Sequence, residues 1–133
     1  MESKRDTRGF AETISQYLTL LEQGDTEGIV ALFTEDAQIY SPFLGWMTPA
    51  PFFTKVREAS GQSRITPIDT LVSISGNARA IGYFTYDWGL KDGTQVSFDC
   101  CDVFDFSDDG RIRKMTIIYD TYPIRVQVGD KYQ

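Results

Sequence analysis

Histidine is absent from this chain of 133 residues. That excludes Ser-His-Asp and Cys-His catalysis, His-ligated metals and any dehydration that needs an imidazole. Cysteine is nearly absent too: the chain has only Cys100 and Cys101. Neighbours on a strand point to opposite faces, so these two are not expected to bridge. Both read as small apolar packing residues of a reducing compartment. Long apolar runs are missing, so no membrane span is expected. Positive charge is short, with 13 Lys+Arg against 19 Asp+Glu and a net charge of −6. That balance argues against a nucleic-acid partner. The opening stretch from Met1 to Gly9 is polar and carries no apolar leader; together with the unpaired cysteines this gives the expectation of a cytoplasmic protein. Gly-rich phosphate loops, CxxC pairs and nucleophile elbows are also lacking.

What remains is apolar and aromatic: 41% of residues are hydrophobic and 14% aromatic. The length fits one domain over residues 1–133 with a substantial core. From Arg8 to Gln23, Phe10, Ile14, Tyr17, Leu18 and Leu21 recur at helical spacing. Gly24 is a natural stop, and Asp25 a natural N-cap for a second helix carrying Ile29, Val30, Leu32 and Phe33. A short strand, Ala37 to Ser41, ends at Pro42, and Phe43 to Met47 reads as a loop. Thr48 and Pro49 open a third helix with Phe52, Phe53 and Val56 on its apolar side, and Gly61 lies beyond its end.

The second half changes period. Arg64 to Ser75, Ala78 to Leu90, Thr94 to Phe106 and Arg111 to Tyr122 alternate and are rich in β-branched and aromatic residues. Gly76-Asn77, Asp92-Gly93 and Asp108-Asp109-Gly110 supply the turns. Short turns between long strands predict an antiparallel meander, and helices grouped before strands predict an α+β fold. A curved antiparallel sheet wrapped around three N-terminal helices would leave a conical pocket between the layers. The polar tail from Gln127 to Gln133 is expected to fray.

The third long strand carries the main chemical clue. One parity set reads Val96, Phe98, Cys100, Asp102, Phe104, Phe106; the other reads Ser97, Asp99, Cys101, Val103, Asp105. The first is an apolar face interrupted by a single carboxyl, so Asp102 points into the interior while the second set suits solvent or a subunit contact. A carboxylate without a partner there is costly, so the group either binds a partner or keeps its proton. Protonated, it is a hydrogen-bond donor able to stabilise negative charge on a substrate oxygen. Tyr17, on the apolar stripe of the first helix, is the candidate second donor. Asp99, Asp102 and Asp105 are split between faces, so no metal site is expected.

The run Tyr17-Leu18, Gly24 to Phe33, Glu35-Asp36-Ala37 and Ser41-Pro42-Phe43 resembles the opening of ketosteroid isomerases. Asp99, Asp102-Val103, Phe106, Asp109-Gly110-Arg111-Ile112 and Met115 resemble the closing half of that family, which belongs to the nuclear transport factor 2-like superfamily together with polyketide cyclases. The resemblance runs from about Glu12 to Arg125. It implies that Tyr17 and Asp102 stand at the oxyanion-hole positions; a carboxyl held neutral at such a site is a documented case in that family. It also implies a small apolar carbonyl ligand, no cofactor, and a homodimer built on the outer sheet face.

The departures matter equally. The family's base is an aspartate just before the proline that ends the first strand, and Ser41 stands there. A serine hydroxyl cannot take an α-proton at neutral pH without its own base. Phe33 and Phe53 occupy positions where some members place supporting tyrosines. Asp87 is the candidate replacement base: counting back across Asp92-Gly93 puts Ile81, Tyr83, Thr85, Asp87 and Gly89 on the pocket side and leaves Trp88 in an outer apolar patch suited to dimer burial. Asp120 would face out if Met115, Ile117 and Tyr119 line the pocket. The expected catalytic set is therefore Tyr17, Asp102 and Asp87, with Ser41, Phe53, Phe98, Cys100, Phe104, Met115, Ile117 and Tyr119 around the substrate. The rival readings are a non-catalytic ligand-binding or dimerisation module and a polyketide cyclase-like enzyme.

Overall fold

The computed structural model describes residues 9–123 and 125; the tail expected to fray, 127–133, lies outside them. Among the described residues the elements are α1 (Phe10–Gln23), α2 (Thr26–Val30), β1 (Phe33–Ser41), β2 (Gly45–Met47), α3 (Pro49–Ala59), β3 (Arg64–Val72), β4 (Arg79–Gly89), β5 (Gln95–Phe106) and β6 (Ile112–Tyr119). The fold is α+β, with one curved, six-stranded sheet in the order β2-β1-β6-β5-β4-β3. The meander β3 to β6 is antiparallel throughout. The sequence reading did not foresee that β1 joins β6 in parallel. No helix among the described residues is long and apolar enough to cross a membrane.

Local chemistry explains the helices. Phe10, Ile14, Tyr17 and Leu18 are the buried residues of α1, spaced so that one stripe meets the sheet. Gly24 ends α1 in the left-handed region, and the N–H groups of Gly24 and Asp25 close on the carbonyls of Leu21 and Leu20. Asp25 caps α2 by accepting from the Gly28 N–H at 2.9 Å. That helix stops at Val30, short of the expected Leu32 and Phe33. Phe33 instead opens β1 and pairs with Ile112, with an irregularity before Gln38. β1 is therefore longer than the expected strand from Ala37. The expected loop from Phe43 to Met47 contains β2, whose Trp46 pairs with Tyr40.

The core lies between the helices and the concave face of the sheet. Phe10 stacks on Phe106 with ring centroids 4.1 Å apart, and Ile14, Ile39, Phe104, Ile112 and Met115 are fully enclosed. Each such side chain contributes roughly 1.5–3 kcal/mol by leaving water. One glycine sets the distance between the layers: a Cβ on Gly82 would stand 2.9 Å from Ile14 Cγ2. Its bare backbone lets α1 settle against β4, beside Asp102, which is its partner on β5.

Candidate functional site

Between the helices and the sheet lies a cavity of about 70 Å³, open to solvent at its mouth. α1 contributes Tyr17 and Leu21, α3 contributes Phe52, Phe53 and Val56, and the end of β1 with the following turn contributes Ser41, Phe43 and Leu44. The sheet wall is Phe84, Tyr86 and Trp88 from β4, Phe98, Cys100 and Asp102 from β5, and Ile117 and Tyr119 from β6. More than half of these side chains are aromatic, and among the described residues of the lining Asp102 is the only acid.

Asp102 points inward as the alternation of β5 requires and is 2% exposed. Its Oδ1 is buried without a hydrogen-bond partner among the described residues. Burial pushes its carboxyl up to about 8, so at neutral pH the proton stays on. The Tyr17 phenol is also 2% exposed and is raised well above its ordinary value, first by burial and then by the Asp102 carboxyl, with smaller contributions from Tyr86 and Cys100. Two neutral O–H donors, one on a helix and one on the sheet, therefore share one apolar hollow. Phe53 and Phe104 hold the Tyr17 ring edge-on, at centroid distances of 5.9 and 5.3 Å. Burial likewise pushes the Cys100 thiol up, which keeps it protonated and inert.

Ser41 lines the cavity at the position before Pro42, and its Oγ accepts from the Leu44 N–H at 3.2 Å. That bond closes the β1–β2 turn, and among the described residues of the lining no basic side chain supports the hydroxyl as a proton acceptor. Of the other expected substrate contacts, Phe53, Phe98, Cys100, Ile117 and Tyr119 line the cavity. Phe104 and Met115 do not: both are fully enclosed behind it.

Asp87 is outside the cavity, and the parity assigned to β4 needs correction. The connection from β4 to β5 has three residues, Lys91, Asp92 and Gly93, between Leu90 and Thr94. Leu90 N–H donates to Thr94 O, Gly93 N–H donates to Leu90 O, and Gly93 stands at φ 91°. This is a turn followed by a left-handed glycine. An odd loop pairs even residues with even ones, so Tyr86 faces Phe98 and Trp88 faces Val96. The inward set is therefore Phe84, Tyr86 and Trp88, while Asp87 pairs with Ser97 and lies in an outer depression with Arg64 and Gln95. Trp88 is not an outer dimer patch: it is 4% exposed, and its Nε1–H donates to Ser60 Oγ at 2.7 Å. Sequence reasoning missed Tyr86 and Trp88 as lining residues for this reason alone; a three-residue count across Lys91-Asp92-Gly93 would have found them.

Among the described residues no group of three His, Cys, Asp or Glu side chains converges on one position. Asp99 and Asp120 are exposed, as the outward parity requires, with one exception in that outward set. The exception is Asp105, assigned to the solvent-facing set but 3% exposed, where its Oδ1 meets Arg79 Nε at 2.6 Å.

A sheet curled round three helices, with a hollow between them, is the architecture of the nuclear transport factor 2-like superfamily. Residues 14–115 match the SnoaL-like domain model, and the chain belongs to that family. Among solved structures, the epoxide hydrolase/cyclase-like enzyme SalBIII, described for its role in pyran ring formation in the polyether salinomycin, is similar. It has a TM-score of 0.74 and 21% identity over 90% of this chain and 96% of that one. An NTF2-like protein of unknown function from Exiguobacterium sp. 255-15 matches with a TM-score of 0.70 and 16% identity over 81% of this chain and 98% of that one. AclR, a putative hydroxylase from Streptomyces galilaeus, matches with a TM-score of 0.73 and 14% identity over 91% and 81% of the two chains. No curated protein matches the sequence.

Proposed function

We propose that the protein binds a small apolar carbonyl compound and stabilises negative charge on its oxygen, with Tyr17 and Asp102 as the two donors and no cofactor. The observation that carries this reading is the orphaned, inward-facing Asp102 Oδ1 in an apolar cavity. A buried polar atom without a partner is a standing cost that a ligand oxygen removes. Donors fixed in a dry hollow favour an enolate over a neutral ketone, because they are already aimed where charge develops.

Among the described residues of this cavity none stands in for the proton carrier of an ordinary isomerase. Ser41 holds the usual position of the base, and Asp87 lies on the other face of the sheet. Steroid isomerisation by the wild type should therefore be slow. A phenolate mimics an enolate, so titration with a series of phenols, followed by absorbance, tests the donors. The wild type should bind them and shift their spectra, and Tyr17→Phe should weaken binding. A folded protein that ignores every phenol would favour a non-catalytic module. Ser41→Asp restores a carboxylate at the mouth of the donor pair and should raise turnover of a β,γ-unsaturated ketosteroid. Brisk turnover by the wild type, or no gain in the variant, would refute this account.

The single acid in the lining favours a cyclase-like reaction as the second reading. In an intramolecular aldol closure of a ligand that enters as its enol, the enol carbon attacks the ligand's own carbonyl and the enol O–H proton passes to the new alkoxide, so the protein need only polarise oxygen. The fold shared with SalBIII, itself cyclase-like, agrees with this. For the partner we propose a second copy of this chain across the outer sheet face, where Ile118 and Leu71 are about half exposed; sedimentation at micromolar concentration tests it.

A further inference from the structure

Ser41 ends β1 facing the cavity and is 5% exposed. Its Oγ accepts from the Leu44 N–H at 3.2 Å, which occupies a lone pair and leaves the hydroxyl proton unused. Among the described residues no acceptor takes that proton. A buried O–H without an acceptor is a cost that an oxygen entering the cavity removes. The sheet register fixes where this donor stands. Ile39 pairs with Met115 and Tyr40 with Thr116, so the next residue, Ser41, comes level with Ile117. Ile117 in turn pairs with Asp102. Ser41, Ile117 and Asp102 therefore form one row across the neighbouring strands β1, β6 and β5, and all three side chains line the cavity. Two strand spacings separate the ends of the row, roughly 10 Å between Cα atoms. A hydrogen bond of about 3 Å at each end leaves roughly 4–6 Å between two ligand oxygens held there, the span of one six-membered ring. The volume agrees. The cavity measures about 70 Å³, and an apolar void of about 150 Å³ holds benzene. No more than one ring goes in, and the remainder of a longer ligand stays at the mouth.

We propose that Ser41 is a specificity-determining hydrogen-bond donor to the ligand, and that the substrate class is a six-membered ring bearing oxygen functions on opposite sides. This rests on the reading of Tyr17 and Asp102 as the donors to the first oxygen. That oxygen sits between those two, the ring lies over Ile117, and the second oxygen accepts from the Ser41 hydroxyl. The position from which a carboxylate would take a proton thus gives a hydrogen bond instead. A ring without the second oxygen still binds by its first, but leaves the Ser41 proton without an acceptor.

Two probes of similar shape test this: 4-methoxyphenol and 4-ethylphenol, which differ by an ether oxygen in place of a methylene across the ring from the phenol. The quantity read is the ratio of their affinities, measured by fluorescence titration on the full chain. In Ser41→Ala the preference for the methoxy probe should fall about fivefold relative to wild type, the size of one hydrogen bond. Ser41→Gly removes the same hydroxyl, should give the same fall, and decides the matter where the alanine variant does not fold. A loosened β1–β2 turn would weaken both probes alike and leave the ratio unchanged, and an unchanged ratio overturns the proposal. Tyr86 and Tyr119 also carry hydroxyls in the lining. A fall that appears in Tyr86→Phe or Tyr119→Phe and is missing from the Ser41 variants overturns it too. Tyr17→Phe separates the two levels. If it weakens both probes while the ratio ignores Ser41, only the Ser41 assignment fails. If neither probe binds wild type, or Tyr17→Phe changes nothing, the reading of the first two donors fails and takes this one with it.

Discussion

Asp102 and Asp105 sit on one strand, three residues apart, 2% and 3% exposed. They face opposite sides of the sheet, and the two sides treat them differently. Asp105 meets the guanidinium of Arg79, its cross-strand partner, at 2.6 Å. Asp102 faces aromatic rings, has an Oδ1 without a partner, and is pushed up to about 8 by burial. Equal burial thus gives an ion pair in one place and a neutral acid in the other. The first ties strands together, because removing either charge strands the other. The second contributes nothing to folding that a leucine would not, and keeps a donor in reserve for a ligand.

The widest separation between the two acids is in their response to pH. Asp102 titrates near 3.8 in the unfolded chain and about 8 in the folded one. Between those values the folded protein keeps a proton that the unfolded chain has released. This group's contribution is fully present below the lower value and is lost as pH rises, by up to about 1.4 kcal/mol per pH unit, until about pH 8. From pH 5 to pH 8 the wild type should therefore lose about 4 kcal/mol more than Asp102→Asn in chemical denaturation. Parallel curves would mean that Asp102 is ionised throughout. Next in size, Arg79→Met leaves the Asp105 carboxylate buried and unpaired. Since Arg79 is itself half exposed, the loss should be about 2 kcal/mol, with phenol binding intact; coupled loss of binding would break the division of labour. Third, Asp102→Ala should lower phenol affinity roughly tenfold, about 1.4 kcal/mol, without lowering the denaturation midpoint at pH 8. Smallest of all, Asp87→Asn should change stability by no more than about 0.5 kcal/mol and leave phenol affinity as it is. A clear loss of binding there would return Asp87 to the site.

The same strand shows how far the sequence could be read. Alternation along β5 turned Asp102 inward correctly, because one face of that strand is almost wholly apolar and a single polar residue stands out on it. Asp105 escaped the same logic: Arg79, which covers it, lies 26 positions away in sequence. On β4 the inward and outward sets each hold aromatics, so composition could not orient the strand, and the assignment hung on the length of one loop. Phe33 was placed in a helix because its spacing from Ile29 fits one. Tertiary pairing with Ile112 drew it into β1 instead. Tyr17 was legible as the centre of a buried stripe. That Gly82 makes room for its helix was not, since a glycine within a strand has several explanations.

Loop length is therefore the most consequential feature of the meander. A single residue inserted or deleted between Leu90 and Thr94 would turn β4 over relative to β5, sending Phe84, Tyr86 and Trp88 into water and bringing Tyr83 and Asp87 inside. Changes by two residues keep the wall in place. Length variation at this bend is thus quantised in steps of two, and a lineage that took a single step would own a different receptor built from nearly the same letters.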